Sequence, residues 1–248
     1  MTASTDLGTI RNAAGEALEH DFVPASRAGA ATVVIGHGVT ANMDREWART
    51  LAADLNAAGF GSLRFSFSGN GGSEGSFLDS CPTKEVGDAT AALDALERAG
   101  VGPLVFVGHS MGGAVGVLLV ARGEERVSAL VSLAGMVHTE DFVARRLGDC
   151  EVGQLMWDAP GCEMGQVFLE DMAAVHSVLP QAADVRVPWL LVHGGEDPIV
   201  PASESVEAHA AAGASSELVV LDGADHSFTG GRETDMAQVV VGWLRGLA

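Results

Sequence analysis

Leu104-Val105-Phe106-Val107-Gly108-His109-Ser110-Met111-Gly112-Gly113-Ala114-Val115 is the stretch on which the fold turns. Its first four residues are β-branched, aliphatic or aromatic and read as a buried strand, while Gly113 to Ala121 is an apolar run long enough for a buried helix. A serine held between glycines on a strand-to-helix turn sits on a tight backbone that tolerates no bulk beside it. The Ser110 hydroxyl then points outward, and the Met111 backbone N–H faces the same space at a helix N-terminus. One turn thus offers a nucleophile and a donor for an anion.

The G-x-S-x-G spacing occurs a second time, at Gly71-Gly72-Ser73-Glu74-Gly75. That serine lies in a glycine- and serine-rich loop, Ser68 to Ser76, with no helix directly behind it, so Ser73 reads as a loop residue. Context selects Ser110.

Working outward, the pattern alternates. Leu7 to Val23, with Asn12-Ala13-Ala14-Gly15 in its middle, reads as an N-terminal hairpin. Thr32–Ile35 reads as a strand, followed by a helix with Trp47, Leu51, Leu55 and Ala58 on one face and Asn42 or Asp44 as its cap. Leu63–Phe67 is a strand, and Pro82 opens a helix that buries Val86, Leu93 and Leu96. Val127–Leu133 is the strand after the Ser110 unit. Trp189–His193, Ser203–Ala212 and Leu218–Leu221 then form strand, helix and strand, before a last helix with Met236, Val240 and Trp243 on one face. Strands alternating with helices imply right-handed crossovers and a mostly parallel sheet covered on both sides, an α/β architecture in one domain over residues 1–248. The rhythm breaks between Met136 and Arg186, where about fifty residues hold no clean strand–helix unit. A structureless connection of that length is improbable in a compact domain, so a small cap over the strand ends is expected there.

Composition narrows the function classes. The 248 residues carry 14 Lys and Arg against 33 Asp and Glu, a formal net charge of −19. Nucleic acid and anionic membrane are polyanions, and such a chain is expected to bind neither. Met1 to Asp6 lacks the basic start and apolar run of a signal, and no stretch approaches the ~20 apolar residues of a membrane span. Cys81, Cys150 and Cys162 lack metal-ligand spacing and read as free thiols, which makes the cytoplasm the expected location. No metal and no cofactor is expected: the sequence has neither G-x-x-x-x-G-K-[ST] nor H-E-x-x-H.

A serine needs a base to take its proton and a carboxylate to orient that base. Of the eight histidines, His226 lies just past the last strand, at the sheet end where Ser110 emerges. His37 and His193 fall in tight glycine turns that suit structural hydrogen bonds, and His109 is expected to pack beside the nucleophile. For the carboxylate, Asp197 ends the preceding strand in Glu196-Asp197-Pro198, where the proline turn directs its side chain toward the strand ends. Glu196 is the nearest competitor, and Asp222 and Asp225 are too close to His226 along the chain to reach around its ring. The order Ser110, Asp197, His226 is the one expected for triads on such a sheet. A second oxyanion donor is expected from Gly36-His37-Gly38-Val39-Thr40, through the Val39 N–H. Gly36 to Ala41 also spells G-x-G-x-x-A, but the next strand ends in Ser66-Phe67-Ser68 and supplies no acid for a nucleotide ribose.

These residues resemble the α/β-hydrolase superfamily across essentially the whole chain, and within it small carboxylesterases of the feruloyl/cinnamoyl esterase and serine-aminopeptidase-like type. His37-Gly38-Val39-Thr40-Ala41-Asn42 is similar to that group's H-G-F-T-x-N loop, and Arg64 to Gly71 resembles its R-F-D-F-x-G-x-G segment. Val39 stands where the group has an aromatic residue, and Ser66 where it has an aspartate that supports loops. The resemblance implies a serine carboxylesterase acting on a small-molecule ester, with the insertion near 136–186 helping to bind it. Met156 and Trp157 are put forward as substrate contacts, with Phe142, Met164 and Phe168 as further bulky cap side chains; the alternative for each, and the commoner fate of such side chains, is burial in the cap's own core. Thioesterase, amidase, peptidase and acyltransferase chemistry would use the same residues. A non-catalytic receptor on a hydrolase scaffold is the alternative of a different class.

Overall fold

A computed structural model describes residues 6–247. The start of the chain, Met1 to Thr5, lies outside the described residues. In chain order the elements are β1 (Ile10–Arg11), β2 (Ala17–Leu18), β3 (His20–Val23), β4 (Thr32–Gly36), α1 (Glu46–Ala57), β5 (Gly61–Phe65) and α2 (Pro82–Arg98). There follow β6 (Leu104–His109), α3 (Met111–Ala121), β7 (Val127–Leu133), α4 (Thr139–Arg146), α5 (Gln166–Val175) and α6 (Leu179–Ala182). The chain closes with β8 (Trp189–Gly194), α7 (Ala202–Ala212), β9 (Ser216–Leu221) and α8 (Arg232–Leu247).

Seven strands form the main sheet in the order β3-β5-β4-β6-β7-β8-β9, and every pairing is parallel except β3 with β5. Alternation within the central strands sends side chains to two separate cores. Val34, Phe106, Leu130 and Leu191 pack on one face with α2 and α3. Val33, Ile35, Val105, Val107, Val131 and Val192 pack on the other with α1 and α8. Both faces are therefore apolar, as a sheet covered on both sides requires.

The departures from the sequence reading are local. The expected N-terminal hairpin shrinks to the two-residue strands β1 and β2. The remainder, β3, pairs antiparallel with β5 in the register His20↔Phe65. Neither Asn42 nor Asp44 caps α1: Arg45 occupies that position with no side-chain cap, because the Asn42 amide oxygen is already taken by the Asp44 N–H at 2.9 Å. Trp243 is only half-buried, and its indole N–H donates to Glu217 at 2.8 Å.

Residues 136–186 hold α4, a short 3₁₀ turn at Met156–Asp158, α5 and α6. They form a third apolar cluster in which Met136, Phe142, Met156, Met164, Phe168 and Met172 surround Met111 and Phe77. The buried Glu204 of α7 anchors the start of this segment. It accepts from the Val137 and His138 N–H groups at 2.7 and 3.1 Å and from Arg145 at 2.6 Å. No helix among the described residues is long and apolar enough to cross a membrane. All three cysteines are free thiols, so Cys150 and Cys162 do not pair.

Candidate active site

Parallel strands place their carboxyl ends on one edge of the sheet, which is where open α/β sheets form their clefts. Four of the expected residues emerge there: Val39 beyond β4, Ser110 directly after β6, Asp197 beyond β8 and His226 beyond β9. Ser110 has φ 54° and ψ −120°, a conformation that a side chain adopts only under local strain. The backbone around it holds that strain in place. The Ser110 N–H donates to Leu133 O at 3.0 Å, and the Ser110 carbonyl accepts from Gly113 and Met136 at 2.9 Å. Gly108 is required by crowding, since a Cβ there would collide with the Gly112 carbonyl.

The Asp197 side chain is fully buried. Its Oδ1 accepts from the Ile199 and Val200 N–H groups at 2.7 and 3.0 Å, the local turn expected before a proline-containing bend. Its Oδ2 accepts from His226 Nδ1 at 2.7 Å. A second donor was not foreseen in the sequence reading: His193 Nε2 lies 3.2 Å from the same Oδ2 and 2.9 Å from Val200 O. Because the carbonyl only accepts, that nitrogen carries the proton, and the Ser205 hydroxyl at 2.7 Å serves Nδ1. Burial alone would raise the Asp197 pKa. The hydrogen bonds from His193 and His226 outweigh it and hold the carboxyl well below its ordinary value.

The competitors lie elsewhere. Glu196 is exposed. Asp225 is consumed by its own turn, accepting from Ser227 N–H and from the Thr229 N–H and hydroxyl. Ser73 donates to Ser66 O at 2.7 Å and accepts from Glu19 N–H at 2.9 Å, tying a loop together. Ser66 bridges Glu19 and Met43 N–H in the same region. His37 donates to Gly38 O and accepts from Phe67 N–H, which braces the loop carrying Val39. Burial pushes its pKa down to about 4, so the ring stays neutral.

Ser110 and His226 line one cavity of about 250 Å³, together with Val39, Trp47, Phe142 and Trp157 among others. The serine hydroxyl and the imidazole form no direct hydrogen bond in this arrangement. Such contacts in ligand-free sites often tighten only when substrate is present. The Val39 N–H has no hydrogen-bond partner among the described residues. Met111 is the first residue of α3, where an N–H has no acceptor within the helix. The loop and the elbow nearly touch: a Cβ at Gly38 would come within 2.7 Å of Ser110 Cβ.

The two residues put forward as substrate contacts separate. Met156 is 0% exposed, belongs to the third apolar cluster and does not line the cavity. Trp157 is 43% exposed and does line it. The divergence is conformational: Trp157 takes φ 49° and ψ 36°, a left-handed turn that swings consecutive side chains apart. Its indole N–H donates to Arg146 O at 3.3 Å, and its ring stands edge-on to Phe142. Among the described residues, no group of three or more His, Cys, Asp or Glu side chains is arranged to hold a metal ion.

Comparison with known proteins places this geometry in context. Residues 31–149 match the family described as alpha/beta hydrolase fold, and residues 163–234 match the one described as serine aminopeptidase, S33. The palmitoyl-protein thioesterase ABHD10 of Rattus norvegicus mitochondria is 26% identical over 184 residues. That match covers 68% of this chain and 60% of the relative, so the chain spans about three fifths of its length. Est1E from Butyrivibrio proteoclasticus, solved with ferulic acid bound, superposes with a TM-score of 0.80 at 20% identity over 97% of both chains. An esterase domain from a Rhodothermus marinus protein superposes at 0.77 and 23% identity, covering 96% of this chain and 97% of its own. At these identities the structural likeness shows a shared fold.

Proposed function

This chain belongs to the α/β-hydrolase superfamily, and from that premise we propose that it is a serine hydrolase of small carboxylic esters. Ser110 Oγ attacks the ester carbonyl while His226 Nε2 takes its proton. Asp197, bonded to Nδ1, keeps the ring in the required tautomer and stabilises the imidazolium. The Val39 and Met111 N–H groups receive the oxyanion. His226 then returns the proton to the leaving alkoxide, and water repeats the sequence on the acyl-enzyme. The segment 136–186 acts as a cap whose Trp157 and Phe142 contact the substrate. No metal or cofactor enters this scheme, and the three free thiols support a reducing compartment, the cytoplasm in this proposal.

The observation that carries the reading is the 2.7 Å bond between His226 and the buried Asp197, with His226 lining the same cavity as Ser110 on its strained turn. A cavity near 250 Å³ falls just below the usual range of ligand sites, roughly 300 to 1,000 Å³, and it favours compact acyl and alcohol groups. Hydrolysis of 4-nitrophenyl butyrate by the wild type, abolished in Ser110→Ala and kept in Ser73→Ala, tests it. An active Ser110→Ala variant would overturn it. Thioester hydrolysis is the second reading, favoured by the name of the rat relative. A matched ester and thioester of one acyl group distinguish the two by their kcat/KM.

A further inference from the structure

The charge inside the cavity is opposite to the charge of the chain. Against a net −19, the cavity beside Ser110 is lined by Arg45 and Arg146 and, among the described residues, by no Asp or Glu. Neither arginine forms an ion pair among the described residues, although Arg64, Arg126 and Arg145 all do. Glu46 and Glu233 share a neighbouring hollow with Arg45, yet neither pairs with it. The hydrogen bonds of the two guanidinium groups go to neutral carbonyls: Arg45 to Thr40 O at 3.1 Å and Arg146, through a longer contact, to Pro198 O at 3.4 Å. The Nε–H of Arg146 is buried with no hydrogen-bond partner among the described residues. A buried donor on a charged group is costly to leave unmade, and an acidic protein has carboxylates to spare for it.

We infer that the substrate carries a carboxylate in addition to its scissile ester, held by Arg45 and Arg146. This rests on the esterase reading above and narrows it. A guanidinium offers a planar fork of donors that matches a carboxylate in two parallel hydrogen bonds, and each such charge-assisted bond exceeds a neutral one in strength. The two arginines reach the cavity from different parts of the fold. Arg45 precedes α1 beside Trp47, and Arg146 ends α4 beside Trp157. An anion bound between them therefore also joins the cap segment to the main body. The charge of Arg45 is felt within the site: after burial and His226, it contributes to keeping the His109 ring neutral.

The test compares esters that differ only in the extra charge. On the acyl side, 4-nitrophenyl hemiglutarate is set against 4-nitrophenyl valerate; on the alcohol side, 4-acetoxybenzoate against its methyl ester. At pH 8 the wild type is expected to favour the anionic member of at least one pair by 10-fold or more in kcat/KM. That ratio is expected to fall by about 10-fold in Arg146→Gln and, separately, in Arg45→Gln, an exposed position whose change spares the core. A phosphate monoester analogue preferred over both carboxylates would overturn the choice of carboxylate. Ratios near one in both pairs, or ratios unchanged in both arginine variants, would overturn the inference while leaving the esterase reading intact. If no ester is turned over, it is the esterase reading that fails. Calorimetric titration of benzoate and benzamide into Ser110→Ala then still decides the anion claim, which requires the carboxylate to bind at least 10-fold more tightly.

Discussion

His109 donates its Nε2–H to the main-chain carbonyl of His226 across 2.8 Å. The residue beside the proposed nucleophile thus holds the backbone of the proposed base. A carbonyl only accepts, so Nε2 carries the proton and Nδ1 is bare, buried and without a partner among the described residues. Burial, then the neighbouring His226, pushes the His109 pKa down to about 3. Trp47 stacks on the ring at 4.7 Å and fixes its plane.

His109 is therefore a positioning residue. Replacing it with phenylalanine keeps the stack on Trp47 and removes the bond to His226. We expect kcat on a neutral ester to fall about 10-fold with KM little changed, the size of one lost hydrogen bond. His109→Gln, which restores a donor, should recover part of the loss. A change confined to the melting temperature would mean that the contact is structural only.

Asp197→Asn should lower kcat by roughly 10⁴, because the amide favours the wrong imidazole tautomer. Glu196→Gln, on an exposed side chain, should stay near wild type. His193→Gln should fall between them, since it removes one of the two ring donors to Asp197 Oδ2. Steady-state kinetics of the three variants check the ranking. Equal losses at 196 and 197 would show that the turn was perturbed and not a particular carboxylate.

A buried acid away from the site makes a stability prediction. Glu85 is 1% exposed, with Oε1 accepting from the Ser80 hydroxyl and Oε2 without a partner among the described residues. Burial first, then the charge of Asp88, raises its pKa well above 4.5. The folded state thus prefers the proton. This contribution is fully present below pH 4.5 and is lost as pH rises through the elevated value. Glu85→Gln cannot ionise, so its melting temperature should approach or fall below that of wild type at pH 4 and rise above it progressively toward pH 9. A gap independent of pH would contradict this.

The architecture was legible because it depends on local pattern. Alternating apolar strands and helices, and a serine between glycines at their junction, carry their own structural meaning. The positions of Asp197 and His226 were legible as well, each just past a strand end, while their roles belong to the proposed mechanism. What escaped depended on contacts distant in sequence or on single backbone torsions. His193 read as a turn histidine, and its contact with Asp197 exists only because the chain folds back through Val200 and Ser205. Met156 and Trp157 are adjacent and both large and apolar, so no periodicity separates them; the left-handed torsion at Trp157 does. The Asn42 cap failed because a residue two positions on competed for its side chain.

That separation has measurable consequences. Met156→Ala empties a buried position in the 136–186 segment and should destabilise the protein by about 2–5 kcal/mol. Trp157→Ala removes a cavity wall and should shift preference toward longer acyl chains with little change in melting temperature. Thermal unfolding together with a series of 4-nitrophenyl esters reads both. Uniform loss on all esters with destabilisation in Trp157→Ala would place that residue in the core function instead.

The most direct measurement is covalent. A fluorophosphonate reacts only with a serine activated by its surroundings, and peptide mapping by mass spectrometry locates the adduct. The account predicts one adduct per chain, on Ser110, absent from Ser110→Ala and strongly slowed in His226→Ala while Ser73→Ala is labelled normally. An unlabelled wild type, or an adduct that survives in Ser110→Ala, would contradict it.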